Sequence, residues 1–186
     1  GATYVASDCH KRDAANANRD GNVVNIRNAG FRVDGLGRCL HTPPDSTPEK
    51  IGLPKTPDTR YNLVLKREAI SNYMFNLAFE NSIEDGYVTE KPFDAMLSGT
   101  VPVFLGYAKT LRKTMPHPKA VIFLEDFEGN AEKLAKYLAY LSTNETAYEE
   151  HRDWRKIYSL EKHVKGNRMM EPNWMCKICQ WALENQ

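Results

Sequence analysis

The sequence predicts an α/β domain built on a parallel sheet, and three observations carry that prediction. Short apolar stretches recur without polar alternation, as strands covered on both faces do. Helix-forming segments separate these stretches. The connections run roughly 10–20 residues, long enough for right-handed crossovers between parallel neighbours.

The first strand is expected at Thr3–Ser7, followed by an irregular helix over Lys11–Asn28 that Gly21 interrupts. Phe31–Gly37 reads as a second strand entering a Gly-rich turn. Thr42–Pro57 holds five prolines and no apolar periodicity, so it reads as a surface loop. A short helix over Arg67–Asn72 leads into the apolar strand Tyr73–Phe79. Thr89 is the expected N-cap of a helix reaching Ser98, with Pro92 in its first turn and Gly99 as its stop. Val101–Gly106 and Ala120–Leu124 are the next strands. Asn130 caps an amphipathic helix carrying Leu134, Leu138 and Leu141 on one face, and a second helix is expected over Glu145–Ser159. The elements sum to one Rossmann-like domain over residues 1–160 and a tail over 161–186.

At 186 residues with 41% hydrophobic and 26% charged content, the chain suits one well-cored soluble domain. A formal charge of +1 with scattered basic residues argues against a nucleic-acid partner. No apolar run approaches the ~20 residues that span a bilayer. The opening residues lack a signal peptide's charged and apolar regions and read as a strand from inside a longer chain.

Cys9, Cys39, Cys176 and Cys179 read as disulfide-formers in preference to free buried thiols or a metal site. The Cys176-Lys-Ile-Cys179 pair has no second CxxC or histidine pair to complete a zinc set, so no metal is expected. An oxidising lumen follows, and the Asn144-Glu145-Thr146 sequon is compatible with it. The five histidines lack ligand spacing, and Trp154, Trp174 and Trp181 read as packing residues of the C-terminal segment.

Chemistry in an open α/β sheet gathers at the carboxyl ends of its strands. The richest such junction is Phe79–Lys91: a strand end, a polar turn containing Gly86, then Thr89, Glu90 and Lys91 at a helix start. Positive potential there suits a diphosphate. Neither GxGxxG nor GxxxxGK[ST] is present, so no dinucleotide or P-loop site is indicated.

The run AFENSIEDGYVTEKPFDAMLSGTVPVFLG, Ala78–Gly106, resembles the donor-site signature of the α-1,3-fucosyltransferases. Val5-Ala6-Ser7-Asp8-Cys9 with Arg12, Val33–Leu40, Phe123–Phe127 and the terminal CxxC extend the likeness over most of the chain. Proline at position 92 departs from that pattern. The resemblance implies the C-terminal, donor-binding half of a GT-B glycosyltransferase. It implies metal-independent, inverting transfer of fucose from GDP-fucose to a GlcNAc-containing glycan of a glycoprotein, without a cofactor.

Carried over by position, the donor contacts fall on Arg12, Asn81, Tyr87, Glu90 and Lys91. Arg12 and Lys91 would neutralise the diphosphate, Glu90 and Tyr87 would hold the ribose or fucose, and Asn81 would orient the turn or touch the sugar. Arg12, Glu90 and Lys91 are then the catalytic candidates. The general base is expected from an N-terminal acceptor domain outside this chain. The resemblance also implies residence in the Golgi lumen, with any membrane anchor outside this sequence. Two alternatives stand beside this reading: a catalytically inactive nucleotide-sugar- or partner-binding module derived from that family, and a related glycosyltransferase using another nucleotide.

Overall fold

The protein is described by a computed structural model covering residues 1–9, 17–42 and 63–157. Five strands, β1 (Ala2–Tyr4), β2 (Val33–Gly35), β3 (Phe75–Phe79), β4 (Val101–Leu105) and β5 (Ile122–Phe123), form one sheet in the order β2-β1-β3-β4-β5. Every pairing is parallel, as the unalternated apolar runs predicted. The chain winds outward from β1 to β2, then crosses to the far side of β1 with β3. That reversal opens a crevice at the carboxyl ends of β1 and β3.

The strands bury both faces. Phe75, Leu77 and Phe79 of β3 join one core with Val101 and Val103 of β4, while Ala78 and Phe104 join a second core on the opposite side. The first core is closed by helices α1 (Arg19–Asn28) and α5 (Ala131–Thr143), through Val23, Ile26, Leu134, Leu138 and Leu141. Each of those leucines is at most 1% exposed, and burying one contributes roughly 1.5–3 kcal/mol. Helices α3 (Lys91–Leu97) and α4 (Ala108–Thr114) cover the other face, and α2 (Leu63–Ser71) packs on α3.

Local signals explain several boundaries. The Asn130 side chain accepts from the Glu132 and Lys133 amides at 2.9 and 3.0 Å, the N-cap expected for α5. Gly99 follows α3 at φ +86°, where a side chain would be strained. Gly21 does not interrupt α1. A Cβ there would come within 2.3 Å of the Asn18 side chain, so the glycine makes room for the residue that precedes the helix.

Several expectations need revision, and β1, β2 and β5 are shorter than expected. Ala17 and Asn18 are not helical, so within the described residues α1 begins at Arg19 and not at Lys11. Helix α2 starts earlier than Arg67. The expected helix over Glu145–Ser159 is broken into α6 (Glu145–Glu150) and α7 (Trp154–Ile157), where His151 turns inward to bond Tyr137 and the Lys119 carbonyl. Thr89 is not the cap of α3: Glu90 occupies that position, and the Thr89 hydroxyl is engaged elsewhere. Helix α4 was not foreseen.

Cys9 and Cys39 form a disulfide that ties the segment after β1 to the segment after β2. Gly37 lies against the same segment, since a Cβ on it would sit 2.2 Å from the Ala6 carbonyl oxygen. Asn144 of the sequon caps α6, its Oδ1 accepting from the Ala147 amide at 3.0 Å and its Nδ2 donating to Tyr140 Oη at 3.0 Å. Trp154 packs on Met96 and Ala120. Arg12, the boundary expected at residue 160, Trp174, Trp181 and the Cys176–Cys179 pair lie outside the described residues. Among the described residues no helix is long and apolar enough to cross a membrane.

Candidate functional site

Charged groups gather where β3 ends. Glu80 immediately follows that strand, is fully buried, and has its amide bonded to the Leu105 carbonyl at 2.8 Å. Its carboxylate accepts from the Thr89 amide at 2.7 Å, from the Thr89 hydroxyl at 2.8 Å to each oxygen, and from Lys91 Nζ at 2.5 Å. Lys91 Nζ also donates to Thr89 Oγ1 at 2.7 Å. The predicted cation is therefore held by a buried carboxylate eleven positions upstream, and its side chain is 18% exposed.

Next to Glu80, Asn81 Oδ1 accepts from the guanidinium of Arg19, which also donates to the Asp8 carbonyl. Arg19 is 6% exposed and begins α1 beside Asp20, which accepts from the Tyr4 hydroxyl. This arginine bridges the ends of β1 and β3 across the crevice. Sequence reasoning chose Arg12; Arg19 is the arginine that the described residues place beside Asn81. The sequence signal that points to it is Asn18-Arg19-Asp20 at the start of α1.

Glu90 is half-exposed at the start of α3 and accepts from Lys66 Nζ at 3.2 Å. Lys66 also donates to Asp94 at 2.8 Å, and Arg67 pairs with the same buried Asp94 at 2.8 Å. Burial pushes the Glu90 carboxyl up, but the Lys66 and Lys91 cations and its hydrogen bonds outweigh that and hold it below the ordinary carboxylate value. Lys66 is the converse: burial pushes it down, and Asp94 and Glu90 together raise it. Both groups are thus kept charged.

Tyr87 lies half-buried after Gly86, whose φ of +76° permits the turn. The Gly86 amide donates to Thr110 Oγ1 at 3.2 Å, and that hydroxyl donates to Asp85 at 3.1 Å, pinning the turn to α4. Asn81, Glu90 and Lys91 are joined through Glu80, Thr89 and their own sequence neighbours, while Arg19, Glu80 and Lys66 are charged residues in contact with them that sequence reasoning did not single out. Among the described residues no three His, Cys, Asp or Glu side chains group as a metal-ligand set.

At this topological switch point four basic side chains, Arg19, Lys66, Arg67 and Lys91, are paired with four carboxylates, Asp20, Glu80, Glu90 and Asp94. The model of glycosyltransferase family 10 (fucosyltransferase), C-terminal part, matches residues 1–186. The GDP-fucose protein O-fucosyltransferase 3 of Gallus gallus is 31% identical over 98% of this chain and 38% of its own length. The 4-galactosyl-N-acetylglucosaminide 3-alpha-L-fucosyltransferase 9 of Mus musculus is 40% identical over 49% of this chain and 25% of its own. A crystal structure of an alpha1,3-fucosyltransferase with GDP-fucose superposes with TM-score 0.61 at 30% identity, covering 81% of this chain and 37% of that one. The chain thus spans about two-fifths of the first of these relatives. It belongs to the family 10 fucosyltransferases, a family of glycosyltransferases, and carries that family's C-terminal α/β domain.

Proposed function

We propose that this chain is the GDP-fucose-binding part of an inverting, metal-independent fucosyltransferase. The observation that carries the reading is the Lys91 ammonium fixed at the carboxyl end of β3, beside the Arg19–Asn81 bridge. In the reaction, the bond between fucose C1 and the β-phosphate oxygen breaks with its electron pair leaving on GDP. The acceptor oxygen bonds to C1 from the opposite face and gives its proton to a carboxylate supplied by a second domain. Negative charge grows on the diphosphate as the transition state is approached, so fixed cations stabilise that state more than the bound donor. Lys91 and Arg19 fill that role within the described residues, and Arg12 is retained as a third candidate. Glu90, kept ionised by Lys66, faces positive charge on the sugar ring or accepts its hydroxyls. Tyr87 holds the ribose or the fucose, and Asn81, whose Oδ1 accepts from Arg19, orients the turn or touches the sugar.

The acceptor we propose is a GlcNAc-containing glycan, with the reaction in the Golgi lumen, where a Cys9–Cys39 disulfide would persist. A second acceptor, a protein hydroxyl, is favoured by one observation: a relative matched over nearly the whole chain is named a protein O-fucosyltransferase, whereas the 4-galactosyl-N-acetylglucosaminide 3-alpha-L-fucosyltransferase matches about half.

Calorimetric titration of the natural full-length protein in the presence of EDTA tests the donor assignment. GDP should bind, and UDP and ADP should compete poorly. A folded sample with no GDP affinity at millimolar nucleotide overturns it. Incubating the same protein with GDP-fucose and either glycan or folded protein acceptors then separates the two acceptors. GDP binding without turnover on any acceptor would favour an inactive module.

A further inference from the structure

Glu80 has a burial and a set of contacts that a plain strut does not need. Its side chain is fully buried, as is that of Asp94, and both of its oxygens are engaged by Thr89. Only one partner, Lys91, brings a compensating charge. Its stem lies against Gly106 at the end of β4, where a Cβ would stand 3.1 Å from Glu80 Cγ. Gly106 leaves space for that stem, and burial together with the bonds from Thr89 and Lys91 fixes the carboxylate and, through it, the ammonium. A flexible lysine loses rotamer freedom when it is fixed. Here the fold has removed that freedom before any ligand arrives.

We propose that Glu80 is a positioning residue of the donor site, which acts through Lys91 by presetting its ammonium where the leaving diphosphate develops charge. The inference rests on the donor reading above. It has a consequence that a structural role lacks. A carboxylate 2.5 Å from the ammonium also cancels part of that ammonium's pull on bound nucleotide. Removing its charge should leave GDP bound as tightly as before, or tighter, while the chemical step slows because the cation is no longer aimed.

The test is Glu80→Gln in the natural full-length protein. Glutamine keeps the size of the side chain and an acceptor for Thr89. The expected result is a kcat at least tenfold lower with GDP affinity unchanged or improved. The double variant E80Q/K91M should be no slower than K91M alone, because Glu80 has nothing left to aim. Turnover of E80Q within twofold of wild type, additive losses in the double variant, or GDP affinity falling in step with kcat would each overturn the proposal. Should E80Q fail to fold, Thr89→Val supplies the reading: it removes the hydroxyl that braces both Glu80 and Lys91. It should lower kcat about threefold or more without weakening GDP, and a T89V protein with wild-type kcat would overturn the proposal. Absence of GDP binding by the wild type strikes the donor reading itself, whereas a wild type that binds GDP beside a neutral E80Q strikes only this one.

Discussion

The carboxyl end of the sheet and the outer layer formed by α5 and α6 handle charge in opposite ways. At the sheet end, Glu80, Arg19, Asp20 and Asp94 are 0–7% exposed and knit to one another's neighbours. On α5 and its surroundings, ion pairs such as Glu132–Lys136 and Glu128–Lys133 stand in solvent, and the buried positions of the helix are leucines and alanines. Burying ions costs several kcal/mol each, and apolar replacements are often as stable. A fold that needed only stability would therefore resemble α5 throughout. These four buried charges mark where the molecule gives up stability to hold fixed electrostatics near the crevice, whereas the buried Asp34 of β2 is paired at the other end of the sheet with Arg32 and Tyr73.

The sharpest way to break that comparison is Lys91→Ala. Read from sequence, a first-turn lysine is dispensable to the fold. The structure changes the expectation, because losing Lys91 strands the buried Glu80 carboxylate. Transfer should fall by about 10²–10³-fold, the scale for removing one charge-stabilising group. Stability should drop by about 3–5 kcal/mol, as when a buried pair loses one partner. Adding Glu80→Gln to it should recover much of the stability and none of the transfer. Thermal melts and single-turnover rates on the two proteins decide it.

Leu138→Ala is the counterpart in the outer layer. Leu138 is fully buried between α5 and the sheet, and its truncation should cost roughly 2–5 kcal/mol. The folded fraction should bind GDP as wild type does. A raised Kd measured well below the melting temperature would show that α5 helps to shape the crevice, and the two regions would no longer be separable.

These two regions were also unequally legible. The α5 layer could be read directly, since Asn130, Leu134, Leu138 and Leu141 announce a capped amphipathic helix within one window. The parallel sheet followed from apolar runs, and Asn81, Glu90 and Lys91 were carried over from a motif contiguous in sequence. Helix α4 escaped because it buries only Ala108 and Leu111, too few for a periodicity. Thr89 looked like a cap because helix starts favour threonine, but a carboxylate nine residues upstream, brought close by the turn at Gly86, claims its hydroxyl. Arg19 and Glu80 escaped for the same reason. Their roles arise from contacts across the crevice or through the buried turn, which the adjacent residues do not specify.

A smaller effect is expected from pH in the outer layer. His151 is 6% exposed, donates Nδ1–H to the Lys119 carbonyl at 2.7 Å, and its Nε2 pairs with the Tyr137 hydroxyl at 2.9 Å. A carbonyl only accepts, so the neutral ring carries its proton on Nδ1. Burial holds this imidazole below its ordinary value of 6.5, against a smaller opposing pull from its bond to the Lys119 carbonyl. The unfolded chain then takes up its proton first as pH falls. The stability from a neutral His151 is complete above 6.5 and is lost as pH drops from there through the folded value. Melting temperature should decline over that window, and His151→Gln should flatten the slope while leaving GDP affinity alone. An unchanged slope in the variant would place the acid sensitivity elsewhere.

The smallest effect belongs to the exposed pair Glu132–Lys136, one helical turn apart on α5 at 2.8 Å. Both side chains are more than half exposed, so water and salt screen the attraction, and ordering two long side chains offsets most of what remains. Lys136→Ala should leave the melting temperature, GDP affinity and turnover indistinguishable from wild type, at both low and high ionic strength. That indifference matters to the comparison because the same two residue types, at nearly the same separation, form the Glu80–Lys91 pair. If Lys136→Ala proved as costly as Lys91→Ala, burial would not be what distinguishes the two regions, and the charges at the sheet end would need another explanation.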